Sequence, residues 1–275
     1  MIEDKMQQQR FELKYRIGEN VALAVRDFVR GYLDCDPFGV DQPGFSYPVH
    51  SVYLDSDDLY LYHTTVNSDR NRFKLRLRFY DDNPESPIWF EIKRRVDRVI
   101  AKQRGGVRRE AVGLILAGQL PGWEHLADEN PRTLAAIQEF SRLMSRLQAK
   151  PRAHVAYMRE AWISPVNNSV RVTMDRAVLC EPEVVGKFAT RMEKPVNVFG
   201  SEVTLELKFT DRFPDWFRDM ARVFNLTPSG AAKYVNGVTL SGLENFTSLP
   251  FHVPPDRNLD DLFPEPSEGQ YLQRA

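Results

Sequence analysis

RFKLRLRFY, residues 72–80, alternates strictly between cationic and apolar side chains up to its closing tyrosine. Arg72, Lys74, Arg76 and Arg78 fall on every second position, and Phe73, Leu75, Leu77 and Phe79 fill the gaps. A strand sends successive side chains to opposite faces, so the segment is an apolar stripe backed by a row of cations. That row can point into water, onto a nucleic acid or into a site. The alternation of this one segment does not choose among them.

Working outward, the same period of two recurs along the chain. RFELKYRI (10–17) sets Arg10, Glu12, Lys14 and Arg16 against Phe11, Leu13, Tyr15 and Ile17. Further strands are expected at SYPVHSVYL (46–54), IWFEIKRR (88–95), RVIAKQRGGV (98–107), AHVAYMREAWI (153–163), SVRVTMDRAV (169–178) and EVTLELKFT (202–210). PVNN (165–168) has the turn composition of a hairpin connection between two of them. About eight strands with few strand–helix–strand alternations predict an α+β protein whose sheet is mainly antiparallel. Amphipathic helices are expected at ENVALAVRDFVRGYL (19–33), PRTLAAIQEFSRLMSRLQ (131–148) and PDWFRDMARVF (214–224).

The chain has 275 residues, 42% hydrophobic and 27% charged, with formal net charge -1. Near neutrality argues against a general nucleic-acid binder, so any cationic patch must be local. Residues 1–247 read as the folded domain, and the Pro- and acid-rich 248–275 as a loosely attached tail without periodicity. Cys35 and Cys180 are far apart and in no metal-type spacing, which suits a reducing compartment. No apolar h-region opens the sequence, and no window approaches a bilayer span. The expectation is a soluble, cytoplasmic protein with no direct membrane insertion. The five histidines (His50, His63, His125, His154 and His252) form no evident cluster and read as surface or capping residues.

The polar faces of several strands carry Lys, Arg and Glu in place of Ser, Thr and Gln. An E-x-K pattern occurs in FELKY, FEIKR and LELKF, as Glu12/Lys14, Glu91/Lys93 and Glu206/Lys208. This spacing puts both groups on one strand face, about 7 Å apart. Solvated faces with cross-strand ion pairs would read the same way, but like charges that accumulate on a sheet need anionic compensation. If the strands close into a barrel with charged faces inward and helices over the apolar faces, the interior becomes a cationic, carboxylate-containing tunnel. Such a tunnel suits a linear phosphate chain, gripped by arginine forks and lysine point charges. A carboxylate there would hold a divalent metal that bridges to phosphate oxygens.

The ordered set FELKY, RFKLRLRFY, FEIK, VRVTMD, LELKF and AAKYVNGV, spread over about residues 10–243, resembles the VTC domain. That is the polyphosphate polymerase module of the vacuolar transporter chaperone complex, a member of the triphosphate tunnel metalloenzymes. The resemblance implies a closed, mainly antiparallel β tunnel barrel with helices packed outside. It implies transfer of the ATP γ-phosphate to a growing polyphosphate chain, with Mn2+ or Mg2+. By the same resemblance Lys14, Arg76, Arg78, Lys93, Arg159, Lys208 and Lys233 are tunnel residues that bind phosphate, and Lys74 and Lys102 extend the set. Glu206 is the implied metal ligand, with Glu12, Glu91 and Asp175 as partners; Asp175 also reads as a structural partner of an arginine such as Arg171. Arg72 reads as a rim residue, and Tyr15 and Tyr234 as core.

One position departs from the family pattern. Ala232 stands where a serine usually precedes the lysine–tyrosine pair, and Ser229 is the nearest hydroxyl. Two competitors to the polymerase therefore stay open: a triphosphate or polyphosphate hydrolase, and a non-catalytic polyphosphate- or nucleotide-binding module. Nucleic acid is disfavoured because Phe73 and Phe79 lie on the core face rather than among the cations. The eukaryotic complex works at a membrane, and nothing in this sequence indicates a membrane partner.

Overall fold

The computed structural model describes residues 10–97, 99–166, 169–210, 212–247 and 249. Apart from Leu249, the expected tail lies outside the described residues, as do His252 and two positions of the PVNN connection. In chain order the strands are β1 (Arg10–Ile17), β2 (Asp34–Cys35), β3 (Ser46–Asp55), β4 (Asn71–Phe79) and β5 (Ile88–Val96). They continue with β6 (Val99–Val107), β7 (Lys150–Ile163), β8 (Val170–Pro182), β9 (Val196–Asn197) and β10 (Val203–Thr210). The α-helices are α1 (Glu19–Val29), α2 (Tyr60–Val66), α3 (Val112–Leu116), α4 (Pro131–Leu147), α5 (Asp215–Val223) and α6 (Lys233–Ser241). All eight expected strands are present, and the two-residue β2 and β9 extend the sheet at its margins.

The sheet runs β2-β7-β3-β4-β5-β6-β1-β10-β8-β9, and β7 pairs with β8 as well as with β3. Every pairing is antiparallel, those joined by short connections (β4–β5, β5–β6 and β7–β8) and those between strands far apart in sequence alike. The sheet therefore curls round on itself through the β7–β8 ladder. Between β1 and β6, however, the register reduces to one pair, Arg10 opposite Ile100. The expected closed barrel is not met along that seam. β1 pairs with β10 over all of its residues, and on its other edge it meets β6 at that single bridge.

The apolar faces point away from the curl, as alternation requires, and build most of three clusters around it. Phe73, Leu75, Leu77 and Phe79 of β4 join Phe90 and Ile92 of β5 and are covered by Ile137, Phe140 and Leu143 of α4. Asn130 starts α4 by accepting from the Arg132 N–H, and Pro131 follows at the first turn. A second cluster packs α1 and α5 over β1 and β10, with Tyr15 inside it. The third gathers Tyr53, Tyr157, Tyr234 and Val238 where α6 meets β3, β7 and β8.

α1 stops at Val29 rather than at residue 33. Its C-cap is Arg30, and the N–H groups of Tyr32 and Leu33 both donate back to the Val29 carbonyl at 2.9 Å. The apolar spacing outlasts the helix because the turn packs on the same surface: Leu33 joins the cluster and Tyr32 stacks on Trp216. α2 had no periodic signal. It is started by the buried Asp55 carboxylate, which accepts the N–H groups of Ser56, Leu61 and Tyr62 and the hydroxyl of Tyr234 at 2.7–2.9 Å. Asp55 thereby ties α2 to α6.

Candidate functional site

The inward faces enclose two cavities, of about 500 and 190 Å3, that share Glu12, Arg76, Arg78, Lys93, Arg159 and Lys208 in their walls. They form one polar passage. The larger part is lined further by Lys14, Arg72, Lys74, Arg95, Lys233 and the segment 228–232; the smaller by Tyr47, Tyr80, Lys102, Arg104 and Arg171. Arg72 and Arg95 face each other at the start of β4, the position expected of a rim.

Cross-strand register explains how the charges meet. β1 and β10 each carry E-x-K and run antiparallel, so Glu12 falls opposite Lys208 and Lys14 opposite Glu206. Lys14 Nζ lies 3.0 Å from Glu12 and 3.2 Å from Glu206. Lys93 reaches Glu12 at 2.8 Å from β5. Glu206 also meets Lys208 at 2.6 Å and Lys233 at 3.1 Å, with Arg159 at 4.0 Å. Burial opposes the charge on Glu206, yet these four cations hold its pKa well below the carboxylate range. Burial likewise opposes the charge on Lys14, and Glu12 and Glu206 outweigh it and raise its pKa.

Glu91 stands apart from this pair, while Asp175 shares Arg159 and Lys233 with Glu206. Glu91 faces Arg76 across the β4–β5 ladder; it contacts the Arg76 guanidinium at 2.6–2.7 Å and Lys102 at 2.7 Å. Asp175 faces Arg159 and accepts from its Nε and Nη2, each at 2.8 Å, with Lys233 at 2.7 Å. Arg171, the arginine suggested as a partner for Asp175, binds Asp36 instead; β8 places it opposite Lys208, four residues along the strand from Asp175. Arg159 and Lys233 overcome burial to hold Asp175 at about 2.

Elsewhere like charges stand directly opposite each other: Arg72 and Arg95, Lys74 and Lys93, Lys93 and Lys102, Lys208 and Arg171. Lys74 donates to the Thr65 hydroxyl of α2 at 2.9 Å. Burial, with Lys93, Lys14 and Arg72 around it, pushes Lys74 down to about 7. Burial also takes Lys102 to about 7 and Lys208 to about 8, against the pull of their carboxylates. The Ser229 N–H donates to the Lys14 carbonyl at 2.8 Å, while its hydroxyl oxygen is buried with no hydrogen-bond partner. Ala232 lines the same wall.

Several wall residues escaped the sequence reading. Tyr53 accepts from Arg76 at 3.4 Å, and Tyr157 accepts from Arg78 at 3.0 Å. Tyr157 precedes Arg159 by two residues and Arg104 follows Lys102 by two, so strand parity alone places both on the inner face. Two of the histidines read as surface residues, His50 and His154, are buried. His50 Nδ1 and His154 Nε2 meet at 3.0 Å, buried beside Phe79 on the outer side of the sheet. They sit diagonally across the β3–β7 ladder, a relation that only the register reveals. His125 has the capping role expected, accepting the Gly122 N–H.

Among the described residues no three His, Cys, Asp or Glu side chains come together as a metal cage. Glu206 shares Lys14 with Glu12 and shares Lys233 and Arg159 with Asp175, so these carboxylates would be the ones to hold an ion. That donor set fits a hard cation that takes its other oxygens from phosphate, as Mg2+ commonly does, and not an all-protein site. No helix among the described residues is long and apolar enough to cross a membrane.

No curated protein matches the chain. A solved structure described as a "putative adenylate cyclase" from Bacillus halodurans is 12% identical, with TM-score 0.45, covering 82% of this chain and 95% of its own; likeness at that level carries no argument. The family model described as the VTC domain matches residues 9–241. The chain belongs to the VTC domain family.

Proposed function

We propose that this protein is a phosphotransferase that moves the γ-phosphate of ATP onto the end of a polyphosphate chain inside the passage. The observation that carries this reading is the set of opposed like charges on the inner face. Arg72/Arg95, Lys74/Lys93 and Lys93/Lys102 repel across their ladders, and a linear polyanion lying between them is the ligand that relieves all three together. Family membership supports a phosphate- and nucleotide-handling protein; the polymerase activity is our inference.

In this reading the guanidinium groups of Arg76, Arg78 and Arg159 grip non-bridging oxygens and hold donor and acceptor in line. Lys14, Lys93 and Lys233 neutralise charge that develops as the phosphoryl group passes. The free Ser229 hydroxyl donates to a terminal phosphate in the place of the serine that Ala232 replaces. The attacking oxygen of a phosphate terminus is already anionic near neutral pH, so no general base is required. A divalent cation held by Glu206 and Glu12 would supply Lewis-acid charge at the phosphates.

A second reading, binding without turnover, is favoured by Glu206, both of whose oxygens are engaged by lysines and arginine. Incubation with ATP and Mn2+ separates the readings. A polymerase yields ADP and a ladder of chains on a gel. Free phosphate without chains makes the protein a hydrolase. Tight polyphosphate binding with no product leaves the binding module.

A further inference from the structure

The two ends of the passage differ in one respect that phosphate binding does not use. At the larger end the aromatic rings are already engaged: Tyr53 is buried and stacks on Tyr234 at 4.9 Å. At the smaller end Tyr47 and Tyr80 line the opening, and Phe38 packs against both, with ring centroids at 5.9 and 6.5 Å. The rings of Phe38 and Tyr80 are parallel to within 1°. Yet Phe38 is 76% exposed, so this ring buries little of its own surface in the fold.

The backbone that carries Phe38 is pinned. Asp36 accepts the Phe38 N–H at 3.0 Å through its carboxylate, and its carbonyl accepts the Gly39 N–H at 2.8 Å. The same carboxylate receives Arg171 and the Tyr47 hydroxyl. An added Cβ at Gly39 would fall 2.5 Å from the Phe45 carbonyl oxygen, so the turn closes only with glycine there. A lone exposed aromatic residue is ordinary. One whose backbone is fixed and whose ring packs on two tyrosines that line a cationic cavity has the form of a stacking platform, because every base offers a π-face to such a ring.

We propose that Phe38, with Tyr47 and Tyr80, is the nucleobase-binding subsite, taking the purine ring of a nucleoside triphosphate whose phosphates run inward past Arg171 and Arg78. The inference rests on the reading that the passage binds a triphosphate, and it adds a direction. Nucleotide enters at the Phe38 end, and the phosphate chain lies toward Lys74, Arg72 and Arg95.

The test compares two ligands on three proteins by titration calorimetry: a non-hydrolysable ATP analogue and tripolyphosphate, on wild type, Phe38→Ala and Phe38→Trp. Loss of the ring should weaken the ATP analogue about five- to a hundredfold, the usual range for a stacked base truncated to alanine. Tripolyphosphate affinity should be unchanged, which also reports an intact tunnel, and Phe38→Trp should keep the wild-type value for the analogue. Equal affinities of Phe38→Ala and wild type for the analogue, or equal losses for both ligands, overturn the subsite and leave the tunnel reading standing. A wild-type protein that binds neither ligand overturns both.

Discussion

Where β1 meets β10, Glu12 lies across from Lys208 and Lys14 across from Glu206, so charge alternates in both directions along the wall. Where β4 meets β5, Lys74 lies across from Lys93 and Arg72 across from Arg95, with Glu91 as the anion of that ladder's inner face. Both surfaces come from the same kind of sequence, alternating strands with cations on one parity. The difference lies in register. Two E-x-K strands run antiparallel place each acid beside a base, while E-x-K against a K-x-R row leaves cation facing cation. The first wall pairs its charges within its own two strands; the second borrows Glu12 of β1 for Lys93 and keeps an excess of positive charge.

The β1–β10 wall depends most on Glu206. Replacing it by glutamine leaves Lys14, Lys208, Lys233 and Arg159 without their shared carboxylate. We expect Glu206→Gln to lower the stability of the ligand-free protein by about 3–5 kcal/mol, the cost of breaking a buried ion pair from one side. Denaturant titration reads this directly, and an unchanged midpoint would show that the self-balanced wall does not depend on its acid.

Binding should also be coupled to protons. Lys74 and Lys102 sit near 7 and Lys208 near 8 because burial disfavours their charge, so around pH 8 the ligand-free fold has released protons that the unfolded chain keeps. Their contribution to stability therefore rises with pH from about 7 toward the unfolded lysine value. Phosphate favours the charged forms, so tripolyphosphate should take up protons on binding, and its affinity should fall roughly tenfold between pH 7 and 9. Calorimetry at pH 8 in two buffers of different ionisation enthalpy measures the uptake. Proton release would contradict the assignment of these lysines to the inner face.

The smallest effect has the most informative sign. Lys74→Met removes one member of the Lys74/Lys93 pair while keeping most of the side-chain volume. It should stabilise the ligand-free protein by up to about 1 kcal/mol and weaken tripolyphosphate binding at the same time. A loss of stability instead would mean that the second wall is as self-sufficient as the first.

Strand parity made much of this legible. Glu12 and Lys14 of β1, Lys74, Arg76 and Arg78 of β4, Lys93 of β5 and Glu206 and Lys208 of β10 line the passage on alternate positions, because a period of two is a property of the strand alone. What stayed hidden depends on which strands become neighbours. The partner of Asp175, the meeting of His50 with His154 and the one-pair seam at Arg10 and Ile100 are all products of register across long stretches of chain. α2 was hidden for another reason: one buried carboxylate, Asp55, starts it in a segment without helical periodicity. Phe38 was passed over because a single aromatic residue in a loop has no pattern to betray it.

The three apolar clusters also define what kind of medium the middle of the molecule is. Hydrocarbon forms a jacket, and the centre is a polyelectrolyte cavity of excess positive charge. In solution such a cavity gathers small counterions, as a nucleic acid gathers cations around its phosphates. A phosphate chain that enters must displace them, exchanging many independent anions for one tethered string. Part of the driving force for occupancy is then the mixing entropy of the ions set free, a term that grows with each phosphate admitted and weakens as the surrounding ionic strength rises.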